Sequence, residues 1–306
     1  MNKKSLGSIL ARDFKRNKWK YLVILPVVAY LILFHYKPLY GVIIAFKRFK
    51  PHLGIIDSPW VGLQHFKSLV TDMYFTRSLR NTLTISLLTL IFSFPAPVLL
   101  ALLLNEVKSS KVKRTVQTIT YMPHFVATVI VCGMIVSFTQ SSGLFNDIIA
   151  FFGGKRTNLL IQEKYFYPIY IISGIWQNVG WNSIIYLAAL SGIDQEQYEA
   201  AKVDGANRLQ QLWYITLPGL IPTISMLLIM RMGSLLSVGF EKILLLYQPA
   251  TYEVADVIST YAYRRGLVES NYSYSTAVGL FNSVINVILM TTANKLSKKL
   301  GQSGLY

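Results

Sequence analysis

The chain has 306 residues, of which 53% are hydrophobic, and its 30 lysines and arginines outnumber 14 acidic residues to give a formal net charge of +16. This composition excludes an ordinary soluble domain, because several uncharged apolar runs reach the roughly 20 residues that a membrane-spanning helix needs. The basic residues lie between these runs, so membrane topology explains the charge better than a nucleic-acid partner does.

The amino-terminal part of the chain combines a basic arm with an apolar run. Residues 1–20 hold seven lysines and arginines against one aspartate, and residues 20–36 form the first predicted span. Lys37 and Pro38 interrupt this span, although residues 39–46 could extend it at a shallow angle. No small-residue cleavage site follows the run, so we expect a retained span and not a signal peptide.

Three further apolar stretches predict the second, third and fourth spans. Residues 81–105 carry no charge and form the second span, which Pro95 and Pro97 should kink. Residues 115–146 are longer than one span requires, so we expect the third helix in the middle of that stretch. Residues 165–193 hold the fourth span.

A polar, helix-prone segment follows the fourth span. Asp194 and Gln197 have the spacing of a helix capping box. Gly205 offers the left-handed geometry that ends one helix and redirects the chain. A second short helix is predicted over residues 206–217, with Pro218 as its boundary.

The fifth and sixth spans are predicted over residues 219–240 and 272–294. The predicted fold class is therefore an all-α polytopic membrane protein with six transmembrane helices. Residues 21–294 form a single transmembrane domain that contains the loop at residues 191–218, and residues 295–306 form a tail. Six spans bring both termini to one side of the membrane, and the basic amino-terminal arm favours the cytoplasmic side.

Seven positions in the loop between the fourth and fifth spans recur at a specific spacing: Glu199, Ala200, Ala201, Gly205, Ile215, Leu217 and Pro218. This spacing resembles the EAA loop of the inner-membrane permeases of binding-protein-dependent ABC importers. An ordinary amphipathic loop, which is the alternative, has no reason to reproduce it. The resemblance implies that the first helix of the loop is a coupling helix seated on a cytoplasmic ATPase, with Asp204 as a further coupling residue.

Shorter motifs resemble the branch of this family that imports complex oligosaccharides and polysaccharide fragments. They are ALLLNE at 101–106, YMPHF at 121–125, YLAAL at 186–190 and GLF at 279–281. The resemblance implies a transporter subunit, not an enzyme, that forms half of an oligosaccharide path in the bacterial cytoplasmic membrane. An importer for another solute, such as a peptide or an amino acid, is the alternative.

The same resemblance implies a set of partners. They are a second, related permease chain in a heterodimer, two cytoplasmic ABC ATPase subunits, an extracytoplasmic binding protein and membrane lipid. ATP and magnesium would bind to the ATPase subunits, and no cofactor is expected on this chain. The sequence agrees, because it contains no G-x-x-x-x-G-K-[ST] phosphate loop.

The sequence offers little to support other chemistry. Its four histidines and its single cysteine, Cys132, show no metal-ligand spacing, and one cysteine excludes an intrachain disulfide. An integral-membrane glycosyltransferase is a rival hypothesis, for which Asp194 and Glu196 weakly imitate an acidic metal-binding pair. The dipole at a helix start explains two acids there better than a metal site does.

Polar and aromatic residues inside the spans are the candidates for a substrate path. They are Trp176, Asn178, Trp181, Asn182 and Tyr186 on the fourth span, Arg231 on the fifth, and Asn282 and Asn286 on the sixth. Asn178, Asn182 and Tyr186 recur every four residues and so share one helix face. The tryptophans could stack on a sugar ring. Membrane helices also use asparagine as interhelical glue, so packing is the alternative for the amides.

Arg231 lies about a dozen residues into the predicted fifth span. An isolated charge at that depth costs roughly 2.5 to 3.5 kcal/mol on insertion scales. About ten helical residues on either side are too many for the side chain to reach the membrane surface. We therefore expect Arg231 to face the bundle interior or a wet cavity. There it could clamp backbone carbonyls or the partner permease, or donate to sugar hydroxyls or a carboxylate.

Overall fold

The fold is described by a computed structural model that covers residues 6–299 and residue 301. This part of the chain forms helices and no β-strand, apart from two isolated backbone bridges. The all-α fold class is therefore confirmed for the described chain. Residues 1–5 of the predicted amino-terminal arm, and residues 300 and 302–306 of the predicted tail, lie outside the described residues.

A nearly continuous helical segment opens the described chain. It consists of the α-helix Leu6–Leu31, the π-helical turn Ile32–Tyr36, the α-helical turn Lys37–Leu39 and the 3-10 helix Tyr40–Phe46. The interruption predicted at Lys37 and Pro38 is wrong, because Pro38 falls in the first turn of a new helical piece, where a missing N–H costs little. The most apolar window of this segment buries none of its residues against the rest of the described chain. Its apolar side chains are therefore not covered by the rest of the described chain.

The second span begins earlier than predicted. The Asp72 carboxylate accepts hydrogen bonds from the backbone N–H groups of Tyr74 at 2.8 Å and Phe75 at 3.2 Å, and this N-cap starts the helix ahead of the uncharged run. The span comprises Met73–Leu88, the π-helical turn Thr89–Ser93 and Pro95–Glu106. The π-turn directly precedes Pro95, as expected where a proline disturbs the helical hydrogen bonds. Two short helices come before the span: Gly54–Asp57 and Gln64–Thr71.

The stretch predicted to hold one central third helix is broken into pieces. They are Ser110–Tyr121, the 3-10 turn Met122–Phe125, Thr128–Thr139 and Leu144–Phe151. The helix Thr128–Thr139 lies in the middle of this stretch, as predicted, and Gly143 turns the chain after it. Pro123 separates this helix from the piece before it, because a proline cannot continue that helix. A Cβ atom on Gly143 would overlap the carbonyl oxygens of Ser137 and Phe138, so only glycine allows this close turn.

The fourth predicted span is the longest described helix, Glu163–Ser191, and the 3-10 turn Leu159–Ile161 precedes it. The following loop forms Gln195–Val203 and Arg208–Gln211, then continues through the π-turn Leu212–Thr216 into Leu217–Met232. The boundary predicted at Pro218 is wrong, because Pro218 occupies the first turn of the last piece. That piece ends before Gly233 and not at Phe240. Arg231 therefore lies in the last turn of this piece, where a positive charge complements the helix dipole, and not in the middle of the span as predicted.

The segment between the fifth and sixth helices is folded into the bundle. Its pieces are Phe240–Leu246, Pro249–Thr251, Tyr252–Ala255, Ile258–Tyr263 and the π-turn Arg264–Val268, and the last helix is Tyr272–Lys299. Ile243 and Leu246 from this segment are fully buried in one hydrophobic cluster with Ile85, Val131 and Phe166 of the spans. The segment is thus part of the core and not an open loop.

Five segments within the described residues are long and apolar enough to cross a membrane: Arg16–Phe46, Met73–Glu106, Thr128–Phe151, Arg208–Met232 and Tyr272–Lys299. Glu163–Ser191 is not among them, since side chains such as Gln177, Asn178 and Asn182 lower its hydropathy. Its 29 residues nevertheless rise about 44 Å, which is enough to cross a bilayer. The count of six spans therefore stays a prediction.

A buried carboxylate ties the second span to the segment before the last helix. Asp256 is fully buried, and its carboxylate accepts hydrogen bonds from the Arg264 guanidinium at 2.6 and 3.2 Å and from the Thr260 hydroxyl at 2.8 Å. The Ser78 hydroxyl on the second span donates to the same carboxylate at 3.3 Å. The Asn81 amide donates to the Asp256 carbonyl oxygen at 3.0 Å. Removing the charge would leave buried donors without their acceptor.

We expect Asp256→Asn to destabilise the protein by roughly 3 kcal/mol, because it breaks a buried ion pair from one side. Glu253→Gln is the matched control. The Glu253 carboxylate also binds two arginines, Arg77 and Arg80, each at 3.0 Å, but its side chain is 52% exposed, so the loss should stay below about 1 kcal/mol. Thermal unfolding of the purified protein in detergent measures both. Equal losses in the two variants would show that Asp256 is no more important than a surface carboxylate.

Candidate functional site

A cavity of 790 Å³ opens between the helices. Its wall is built from the π-turn at Thr89, the turn at His124, the middle of Glu163–Ser191, the end of the fifth helix and the start of Phe240–Leu246. Ligand pockets typically enclose about 300–1,000 Å³, so this volume suits a small or medium ligand. The cavity is therefore the candidate site.

Three of the predicted path residues line this cavity: Asn178, Asn182 and Arg231. The Asn178 amide nitrogen donates to the Gly174 carbonyl oxygen at 3.1 Å, and its amide oxygen lies 3.0 Å from the His124 ring nitrogen Nδ1. These contacts fix the orientation of the amide. The predicted helix face thus contributes its first two members to the cavity, whereas their role in transport stays a prediction.

The two tryptophans lie outside the cavity lining. The Trp181 ring stacks on His124, with ring centroids 4.6 Å apart and an angle of 7° between the planes, and also meets the edge of Phe125. Trp181 thereby supports a histidine that does line the cavity. Trp176 is about half exposed. Stacking of either ring on a sugar stays a prediction.

Tyr186 is buried in a hydrophobic cluster with Val98, Ala101, Leu190 and Leu220. Four residues of α-helix turn about 40° past a full circle, so the third member of an every-fourth-residue series has rotated about 80° away from the first. This drift carries Tyr186 away from the cavity-lining face and towards the second and fifth helices. Its surroundings are those of a packing residue.

The asparagines of the last helix also lie outside the cavity lining. Asn286 is buried; its amide oxygen accepts from the Leu236 backbone N–H at 3.0 Å and its amide nitrogen donates to the Ser237 hydroxyl at 3.3 Å. It therefore fastens the irregular stretch after the fifth helix to the sixth, as interhelical glue does. The amide oxygen of Asn282 is buried without a hydrogen-bond partner among the described residues.

The cavity contains charged residues that the sequence reasoning missed. Besides Arg231, its lining includes Glu241 and Lys242. Lys242 is only 9% exposed, and its ammonium group donates to the Tyr170 carbonyl oxygen at 3.0 Å while lying 4.8 Å from the centre of the Tyr170 ring. Burial lowers the pKa of Lys242, which lies outside the five apolar spans, to about 8. A lysine followed directly by four aliphatic residues was the available signal.

The residues predicted to contact the ATPase belong to the predicted coupling loop, residues 191–218, and lie on a separate and largely exposed surface. Glu199, Ala200 and Asp204 are exposed on or beside the helix Gln195–Val203, and Ala201 is half-buried. Asp194 caps this helix by accepting from the Glu196 N–H at 3.0 Å, so the acidic pair acts as a helix start. The capping box predicted between Asp194 and Gln197 is absent. A capping box is instead present at the start of the next helix, between Asn207 and Gln210. Within the described residues no group of three or more acidic, histidine or cysteine side chains could hold a metal ion.

Gly205 ends the coupling helix in the predicted left-handed geometry, with φ +80°. The Ala206 N–H donates to the Ala201 carbonyl oxygen at 2.8 Å, and the Gly205 N–H donates to that of Lys202 at 3.1 Å. This pair of bonds is the Schellman motif, which satisfies the carbonyl groups at a helix end. Leu217 and Pro218 stand in the first turn of the next helical piece, so the coupling loop leads directly into the fifth span.

Comparison with known proteins identifies this arrangement. Residues 68–302 match the family model described as "Binding-protein-dependent transport system inner membrane component". The chain is 48% identical to the polygalacturonan/rhamnogalacturonan transport system permease protein YteP of Bacillus subtilis, over 95% of this chain and 91% of that protein. It is 46% identical to the protein LplB of the same organism, over 95% and 92%.

Solved structures agree with the sequence comparison. A bacterial ABC transporter involved in the import of the acidic polysaccharide alginate matches with a TM-score of 0.89 and 46% identity, over 95% of this chain and 98% of that one. A bacterial alginate transporter in complex with a periplasmic protein bound to an alginate pentasaccharide matches with a TM-score of 0.89 and 45% identity, over 96% and 99%. The chain therefore belongs to the family of binding-protein-dependent inner-membrane permeases, as a transporter subunit of an ABC importer for oligosaccharides.

Proposed function

We propose that the chain forms half of the translocation path for an oligosaccharide that contains uronic acid residues. The cavity is the observation that carries this proposal, because its amides, hydroxyls and cations are suitable hydrogen-bonding partners for sugar hydroxyls and carboxylates. The relatives support a sugar acid. One is named for polygalacturonan and rhamnogalacturonan transport, and another imports an acidic polysaccharide.

A second, related permease chain completes the path in this proposal. The first helical segment supports such a partner, since its most apolar window is unburied within the described chain. An extracytoplasmic binding protein delivers the sugar, as the solved complex with a periplasmic protein suggests for its own transporter. Two ATPase subunits dock on the two coupling loops, hold ATP and magnesium, and drive transport. The coupling loop and both termini then face the cytoplasm.

The contacts of the coupling loop support a mechanical link to the path. The Tyr198 hydroxyl on the coupling helix hydrogen bonds with the Thr216 hydroxyl at 3.0 Å, and the helix Arg208–Met232 runs from the loop to the cavity without a break. When the ATPases close, each loop should move with its ATPase and tilt the fifth helix. That tilt would open the cavity alternately to the two sides of the membrane.

Deleting the gene for this chain should abolish ATP-dependent uptake of a short galacturonate oligosaccharide, and the intact gene on a plasmid should restore it. The measurement is the uptake by the deletion strain of three radiolabelled probes: tri-galacturonate, a neutral trisaccharide and a tripeptide. Loss of peptide uptake alone would favour a peptide importer and contradict the proposal.

Gly205→Val should uncouple ATP hydrolysis from uptake. A β-branched residue at φ +80° costs about 1–2 kcal/mol, which reduces the population of correctly turned loops roughly five- to thirtyfold. Nothing lies within 4 Å of the position that a Cβ atom would take, so the effect should come from backbone strain and not from a clash. Gly205→Asn is the matched control, because asparagine tolerates this conformation. The rates of uptake and of ATP hydrolysis by the purified importer show whether the two processes remain coupled. Wild-type uptake in Gly205→Val would refute the coupling role.

A further inference from the structure

The ammonium group of Lys242 is buried without an opposite charge. Among the described residues no carboxylate lies within ion-pair distance of its nitrogen, and its polar contacts are the Tyr170 carbonyl oxygen and the face of the Tyr170 ring. Taking a charge out of water is costly unless another charge or several hydrogen bonds compensate it. One carbonyl oxygen uses one of three N–H donors. The residue is therefore suited to bind an anion.

Arg231 supplies a second cation to the same cavity. It is half-buried, and no carboxylate pairs with its guanidinium group among residues 6–299. The lining contains a single carboxylate, Glu241, which is exposed and pairs with neither cation. The cavity wall of the described chain therefore carries an excess of positive charge.

Gly174 keeps space beside the Lys242 ammonium group. It also lines the cavity, and a Cβ atom there would lie 3.4 Å from the Lys242 nitrogen. A larger side chain would separate the ammonium group from the lumen. On the same helix, Asn178 and Asn182 line the cavity with neutral amides that can bind hydroxyl groups. Cationic and neutral donors thus stand side by side, as a sugar acid requires.

We propose that Lys242, together with Arg231, forms a carboxylate-binding subsite that selects sugar acids inside the permease. The inference rests on the proposed function and assigns the selection to two residues. The ligand carboxylate would supply the missing counter-charge to Lys242, and it would offer the planar pair of acceptors that the arginine fork binds. A neutral sugar can do neither. Selection by charge then occurs in the membrane subunit.

The test uses the complete importer, with its binding protein, in proteoliposomes. The probes are tri-galacturonate and its methyl ester, which has the same sugar rings without the charges. Lys242→Met should lower uptake of tri-galacturonate roughly tenfold or more, because a charge-assisted hydrogen bond is lost. Ester uptake should change by less than about twofold, so the acid-to-ester ratio should fall. The melting temperature should stay equal or rise, since an uncompensated buried charge has been removed.

Lys164→Met is the matched control. Lys164 also lies over a tyrosine ring, that of Tyr165 at 4.7 Å, but it is exposed and lies outside the cavity lining. This variant should keep the wild-type ratio of acid to ester uptake. Arg231→Met is the second variant, and it should lower the same ratio even if Lys242→Met assembles poorly.

The possible outcomes separate the subsite from the function on which it rests. If a variant complex that is still intact loses uptake of tri-galacturonate and of its methyl ester equally, the subsite is overturned, because the residues then do not distinguish a charged sugar from a neutral one. A lower melting temperature or lost assembly in Lys242→Met, with an unchanged ratio in Arg231→Met, would overturn it too, because Lys242 would then be structural or paired with another subunit. If the wild-type importer transports only neutral sugars, the proposed function itself is contradicted, whatever the variants show.

Discussion

The buried carboxylate of Asp256 is the interaction on which the rest of the structure depends. The carboxylate accepts from Ser78 of the second span and from Thr260 and Arg264 of the segment that follows the fifth helix. The backbone carbonyl oxygen of Asp256 accepts from Asn81 of the second span. A carboxylate that is buried away from water is stable only when hydrogen-bond donors surround it. This network therefore favours one arrangement of the second span and the segment after the fifth helix. The hydrophobic cluster beside it buries Ile243 and Leu246 of the same segment. The segment between the fifth and sixth helices is therefore a packed part of the bundle and not an open loop.

That segment helps to give the cavity its charge. The helix Phe240–Leu246 brings Lys242 against Tyr170 of the long fourth helix, and the last turn of the fifth helix brings Arg231 to the same lumen. Both residues lie at or beyond the end of the fifth helix, and neither lies in the middle of an uninterrupted span. Irregular backbone and charges are tolerated at membrane depth where they line a polar cavity. The end of the fifth helix at Met232 places Arg231 beside the cavity.

The coupling loop is connected to this cavity by one helix. Its first helix ends at Gly205, and its second part continues through a π-turn into the fifth span, which ends beside the cavity. The helix Arg208–Met232 is continuous, so in the proposed mechanism a displacement of its start is carried to Arg231. The π-turns in the second and fifth spans, at Thr89–Ser93 and Leu212–Thr216, lie ahead of Pro95 and Pro218. Such turns are common at functional bends of helices.

The sequence by itself determined the helical fold class, the family and the end of the coupling helix, because these depend on apolar runs, residue spacing and the φ of a single glycine. Asp194 as a helix start was likewise readable from local sequence. The tertiary structure alone decided which polar residues meet in the cavity. Helical drift turned Tyr186 into the core, and long-range packing buried Lys242 beside Tyr170. A residue's neighbours across helices depend on packing between segments distant in the chain, which no local pattern records.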